Sequence, residues 1–340
     1  MFCAGVPETT LLEIKNRFTL DPTSLPIRYL GLPLYSRKLS VSDCDPLISK
    51  IRTKMNGWTH RHLSLAGRLR LISSVITGLI GFWTQAFFLP KSVIRKINSL
   101  CSSFLWHGKL DIPIGARVSW EALSFPKSEG GLGIKLVSSW NETCGLKLLW
   151  MIFFRSGSIW VAWIRNRYLS RHSFWSLNDE NPTYSWMFRK ILKLRQKALR
   201  FLSIQIGNGE DSFFWWDPWT PFGPLINYLG TQGTTSLGIP IHALISDYIS
   251  GDAWILPPAR SDLQLEVFSF ISSITPSQAN DVPVWTVDKQ VKTSFVSKEI
   301  WEEIRPVKSE VQWHRLVWNK VAIPKHSTIT WYSCWTETQR

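Results

Sequence analysis

The chain has 340 residues, 44% of them hydrophobic, with 39 Lys/Arg against 25 Asp/Glu and a formal charge of +14. That content excludes wholesale disorder, and the length is enough for two or three domains with a sizeable core. Five scattered cysteines (Cys3, Cys44, Cys101, Cys144, Cys334), with no close pair, argue against a disulfide framework and a zinc site and fit a reducing compartment. No long apolar core follows a basic flank at the N-terminus, so no secretory leader is expected. Residues 71–89 come nearest to a membrane span but are broken by Ser73, Ser74, Thr77, Thr84 and Gln85. The expected setting is intracellular, nuclear or cytoplasmic, with neither a membrane nor a small molecule as partner.

Charge is spread unevenly. Residues 1–35 sum to zero, 36–110 to +10, 111–149 to zero, 150–205 to +8 and 206–340 to −4. A basic zone rich in aromatics suits a polyanion, most plainly nucleic acid, because each neutralised phosphate releases counterions. The first 35 residues read as the tail of a larger domain. An irregular helix over 2–18 and an Asp21-Pro22 turn lead to Tyr29-Leu30-Gly31-Leu32-Pro33-Leu34, where Gly31 suggests a close backbone approach or a bend in a strand and Pro33 confines it to an edge.

Residues 46–108 hold three amphipathic segments. Ile48, Ile51, Met55 and Trp58 mark the first helix, Leu65, Leu69, Ile72, Ile76 and Leu79 the second, and Val93, Ile97, Leu100 and Phe104 the third. Pro90 suits the opening of the third, while Gly57 and Gly108 stand where C-caps are expected. The prediction over 36–110 is a basic three-helix bundle, with twelve Lys/Arg against two Asp. Lys50, Arg52, Lys54, Arg61, Arg68 and Arg70 are its candidate phosphate contacts. A solvated surface usually carries both signs of charge, which makes so lopsided a run informative.

Residues 111–230 read as a connecting, Trp-rich region. Glu129-Gly130-Gly131-Leu132-Gly133 must be a loop, and it lacks the Lys-Ser/Thr that follows a phosphate cradle, so a turn is the better reading. Leu146, Leu149, Trp150 and Phe153 predict a buried helix. Arg165, Arg167 and Arg171, set among Trp160, Trp163, Tyr168 and Trp175, form a second candidate grip, through phosphates and stacked bases. The bland alternative is an aromatic core with arginines snorkelling around it. A basic helix is expected over 186–201, then a hairpin or helix-to-strand turn at Asn208-Gly209. Asp217, a lone carboxylate among tryptophans, suits a turn better than acid–base chemistry. Residues 231–283 read as loop-rich linker around a helix at 263–274, with strands over 284–287 and 291–295 and a helix over 298–304 beyond. No catalytic constellation and no metal-ligand set emerges; His60 and His62 have no third ligand nearby.

Several stretches together resemble one family. These are Ile27-Arg28-Tyr29-Leu30-Gly31-Leu32-Pro33-Leu34, Trp58-Thr59 with Leu63-Ser64-Leu65-Ala66-Gly67-Arg68, Leu89-Pro90-Lys91, and Phe104-Leu105-Trp106. Pro126-Lys127 with Glu129-Gly130-Gly131-Leu132-Gly133-Ile134, Ile206-Gly207-Asn208-Gly209, Phe214-Trp215, and Asp217-Pro218-Trp219 follow in the same order. So do Val317-Trp318 and Ile323-Pro324-Lys325-His326-Ser327. The chain is similar, across nearly its whole length, to plant LINE-type (non-LTR) retrotransposon reverse transcriptases, in the region from the end of the palm into the reverse transcriptase zinc-binding domain. The resemblance implies a mainly α fold with minor β (α+β). A thumb-like bundle would be followed by a Trp-rich mixed region and a truncated strand–helix module over 284–340.

It also implies an RNA-directed DNA polymerase as parent, using divalent metal in the palm and zinc in a C-terminal domain. This sequence departs at both places: no Asp-Asp pair occurs, and Tyr332-Ser333-Cys334-Trp335 stands where a Cys-x-x-Cys is expected. The expectation is therefore a transposable-element remnant that is inactive as a polymerase and holds no cofactor, retaining non-specific binding of RNA or an RNA–DNA duplex. The alternative is a folded pseudogene product, a structural or interaction protein with no ligand.

Overall fold

The computed structural model describes residues 7–18, 26–35, 37–59, 62–112, 117–154 and 157–338. It is mainly α with minor β, about 52% helix and 8% strand in small sheets, as expected. Two compact units divide the chain: Met1–Asn141 with Pro306–Arg340, and Glu142–Arg305. The segment 284–340, read from sequence as one module, is shared between them.

In the first unit the predicted bundle is present as helices Asp45–Thr59, Leu65–Ala86 and Lys91–His107. Leu47, Ile48, Ile51 and Met55 of the first join Val93, Ile97, Leu100, Cys101, Phe104 and Leu105 of the third in one core. The entry to the first helix is pinned by Asp43, which accepts from the Ser40 backbone N–H at 2.7 Å and from both terminal nitrogens of Arg37. That guanidinium holds the Asp43 carboxyl far below the usual carboxylate range. Gly108, with φ +68°, ends the third helix in the left-handed conformation that glycine adopts most easily. Gly57 is no cap, because the first helix runs on to Thr59. A π-turn, Ile72–Ile76, interrupts the long second helix. The wider turn delays the inward face by about a residue, so Ile80 rather than Leu79 is buried with Ile72, Ile76 and Trp83.

Leu65–Ala86 is the one described helix long and apolar enough to cross a membrane, with mean hydropathy 1.4 over its most apolar window. Its exposed positions include Arg70, Ser73, Ser74, Gly78 and Gln85, and its buried stripe is part of the bundle core.

Ile27–Tyr29 and Leu32–Leu34 form an antiparallel two-stranded ribbon, not a single bent strand. Leu30 and Gly31, both with positive φ, make its two-residue turn. Residues 126–133 are a tight loop, as expected. The amides of Gly130, Gly131, Leu132 and Gly133 are all donated to carbonyls within residues 123–127, which leaves none for a phosphate. A Cβ on Gly131 would lie 1.9 Å from the Phe125 carbonyl oxygen, so this position admits only glycine. Trp331, fully buried on helix Pro324–Thr338, closes the loop by donating from Nε1 to the Gly130 carbonyl at 2.8 Å.

The second unit is built on a three-stranded antiparallel sheet, ordered Leu202–Gln205, Val282–Val287, Gln290–Lys292. Leu202–Gln205 therefore pairs across about 80 residues of chain, with Leu202 opposite Trp285, and not with the residues just after Asn208-Gly209. The Gly207 and Gly209 amides instead both donate to Asp281 Oδ1, at 2.8 and 3.0 Å. The basic helix expected over 186–201 is two short helices, Trp186–Leu192 and Arg195–Ala198, and its cations do not form one continuous line.

Residues 231–283 supply core. Gln232–Leu237 is helical, and Leu237, Ile239, Ala243, Ile245, Val267 and Ile271 bury against Phe214, Trp215 and Trp219. Those aromatics need an apolar lid, and this segment is what covers them. Trp215 Nε1 donates to the Ile239 carbonyl, Trp219 Nε1 to that of Phe214, and Trp219 stacks on Trp254 at 5.8 Å.

Candidate nucleic-acid interface

Core-facing residues of helix Asp45–Thr59 leave Lys50 and Lys54, four residues apart, exposed side by side on one flank. Arg70 is exposed on helix Leu65–Ala86. None of the three side chains has a carboxylate or hydrogen-bond partner among the described residues. Lys91, Arg95 and Lys109 are likewise exposed, with side chains unpartnered there, and join the cations expected from sequence. They belong to the same charge run, which was the signal that could have found them.

Arg52 sits on the opposite flank and is committed elsewhere. Its guanidinium donates to both Asp111 carboxylate oxygens, at 2.5 and 2.9 Å, and holds that carboxyl below its ordinary range. An exposed pair of this kind is worth about 0.2–1 kcal/mol, so Arg52 is a surface strut and not a free contact. Arg68 is half-buried. Its Nη1 donates to the Phe104 carbonyl at 3.3 Å and lies 3.3 Å from where a Gly108 Cβ would stand. Its charge stands at the C-terminal end of helix Lys91–His107, where the helix dipole favours a cation, and burial pulls its pKa down. Arg61, and with it His60, falls outside the described residues.

In the second unit Arg167 and Arg171 are exposed, with no partner among the described residues. Arg165 is not: its Nη1 donates to the Ile152 carbonyl at 3.1 Å. The aromatics interleaved with these arginines pack mainly on one another. Tyr168 stacks on Phe188 at 4.7 Å, Trp163 meets Tyr168 edge-on, and Trp175, 6% exposed, lies beside Phe153 and Phe174. The snorkelling alternative therefore describes most of this zone, with Trp163, half exposed, as the exception.

Asp217 orients a turn, as expected. Its Oδ2 accepts from the Phe213 N–H at 2.7 Å and its Oδ1 from the Ser173 hydroxyl at 2.6 Å. Burial raises its pKa to about 6 against those two bonds, and the nearby Asp281 carboxylate adds to the rise. It lines a small cleft of about 110 Å³ with Arg165, Ser173, Ser212 and Asp281. Among the described residues no group of three or more His, Cys, Asp or Glu is placed to hold a metal ion, and Cys334 sits partly buried on helix Pro324–Thr338.

No family model matches the chain. The chain is 23% identical over 313 residues to a protein of Arabidopsis thaliana described as "Putative ribonuclease H protein". The match covers 88% of this chain and 49% of the relative, so the chain spans about half of that relative's length.

Proposed function

We propose that this chain is a segment of a plant LINE-type retrotransposon reverse transcriptase that holds RNA or an RNA–DNA duplex without transferring nucleotides to it. The observation that carries the reading is the set of exposed, unpartnered cations Lys50, Lys54 and Arg70 in a stretch with twelve Lys/Arg against two Asp. Charge of one sign, left unpaired on a packed helical scaffold, is what a phosphate backbone is bound by. The ordered motifs of the sequence and the similarity to a plant protein named as a ribonuclease H support a retroelement origin. In this reading the divalent ions and the zinc of the parent belong to parts of the polyprotein other than these residues.

A second reading, a folded protein with no nucleic-acid ligand, draws on Arg52, Arg68 and Arg165, whose donors are spent inside the fold. Salt-dependent binding of a single-stranded RNA separates the two. Affinity should fall steeply with salt, and replacing Lys50, Lys54 and Arg70 by glutamate should lower the slope of log K against log salt by about two. Replacing Arg52 by alanine should leave that slope unchanged. Salt-independent binding, or a triple variant that binds as the parent does, would refute the proposal.

A further inference from the structure

Between helices Trp186–Leu192 and Arg195–Ala198 and helix Leu225–Tyr228 lies a cleft of about 530 Å³, a volume ordinary for a site that takes a small ring compound. Trp216 forms one wall. Its Nε1 donates to the Ile241 carbonyl at 3.0 Å, which pins the ring by its edge, and no aromatic neighbour among the described residues covers its faces. This sets it apart from Trp215, Trp219 and Trp285, which are buried and packed on other rings.

The floor is rigid. Arg195 donates to the carbonyls of Trp175, Leu177 and Leu192 at 2.7–2.9 Å, so its charge is spent on structure. Two carboxamides, Gln196 and Asn227, reach the cleft, exposed and without partners among the described residues. The exposed Lys193 also lines the cleft and is only loosely held, its Nζ 3.8 Å from Asp179, a carboxylate of the same lining that Arg195 approaches at 3.8 Å as well.

A pinned indole face, two free amides that each offer a donor and an acceptor, and a loosely held ammonium match the three parts of a nucleotide: a flat base, its hydrogen-bonding edge and its phosphate. We propose that this cleft takes one unstacked base of a single-stranded nucleic acid. The base stacks on Trp216, its edge meets Gln196 and Asn227, and the adjoining phosphate meets Lys193. This rests on the proposed strand-holding function and adds the place where a single strand is told from a duplex, whose bases are stacked and paired and so cannot enter.

The test uses the full chain, an RNA oligonucleotide without secondary structure, and the same oligonucleotide paired with its complement. Trp216→Leu should weaken single-strand binding about 5- to 100-fold, the worth of one base–aromatic stack, while leaving the duplex affinity and the salt slope unchanged. Gln196→Ala, at an exposed position where folding is not at stake, should weaken the single strand several-fold and the duplex not at all. An oligonucleotide carrying 2-aminopurine should lose fluorescence on binding the parent chain and keep it on binding the Trp216 variant. If both variants bind single strands as the parent does while the Lys50/Lys54/Arg70 variant does not, the cleft is refuted and the cationic surface stands. If the parent chain binds neither form, both proposals fall.

Discussion

Asp217 lets the cost of a buried carboxylate be read directly from this fold. Burial lifts its pKa from an ordinary 3.8 to about 6. A shift of that size is worth about 3 kcal/mol between the two protonation states. The folded chain holds the proton more tightly than the unfolded one, so stability from this group is greatest below about pH 4. It falls as pH rises through the unfolded and then the folded pKa, and is lost above about pH 6. Asp217→Asn removes the titration and keeps the turn. The amide oxygen can accept from the Phe213 N–H, and the amide nitrogen can donate to Ser173 Oγ.

Any fixed change in packing cancels when one pH is compared with another. In urea unfolding, the stability difference between variant and parent should therefore move by about 2.4 kcal/mol in the variant's favour from about pH 4, where the unfolded carboxyl is already more than half ionised, to about pH 7.5. A difference that stays flat would mean that water reaches the carboxylate through the small cleft it lines. A difference that moves the other way would mean that its two donors and the nearby Arg165 outweigh burial. Either result refutes the argument.

Gly131→Ala should unfold the 126–133 loop and cost more than about 3 kcal/mol, because the new Cβ would sit on the Phe125 carbonyl. Gly133→Ala, where φ is +71° but the space is open, should cost only about 1–2 kcal/mol, and the two urea midpoints compare them. The thiols of Cys44 and Cys101, pushed up to about 12 by burial, should not react with an aromatic disulfide reagent at neutral pH until denaturant is added. Labelling followed by mass spectrometry of the peptides checks both.

Local signals carried the bundle. The apolar spacing of Ile48, Ile51 and Met55 and of Val93, Ile97, Leu100 and Phe104 corresponds to faces that are buried, and Gly108 caps its helix. Three helices joined by short loops are specified largely by their own residues, which is why periodicity suffices there. The second unit resists the same reading because its structure is decided at a distance. Asn208-Gly209 is a strong hairpin signal, yet the strand before it finds its partner near residue 284, and Asp281 takes the amides a hairpin would have used. Residues 231–238 look like linker because they are small and polar; they are helical because Trp215 and its neighbours need covering.

The candidate site was legible only as a zone. Whether an arginine is free depends on groups far away in sequence: Asp111 lies 59 positions from Arg52, and the Phe104 carbonyl 36 positions from Arg68. No local pattern distinguishes these two from Lys50, Lys54 or Arg70. The motifs behind the family resemblance sharpen the point, since several of them are packing devices. Phe214-Trp215 fills the core, Asp217-Pro218-Trp219 ties a turn to Ser173 and to the Ile204 amide, and the glycine run at 130–133 spends its amides on carbonyls of residues 123–127. A likeness built on such residues speaks for a shared architecture and is nearly silent on ligands. The side chains that would touch a strand are the exposed Lys50, Lys54, Arg70, Lys193 and Gln196, with Trp216, which packs against the core only in part. Only Trp216 is held in place by a strong internal bond. Binding is therefore to be sought at the residues the fold does not need, and mutating the conspicuous motif tryptophans would report on folding alone.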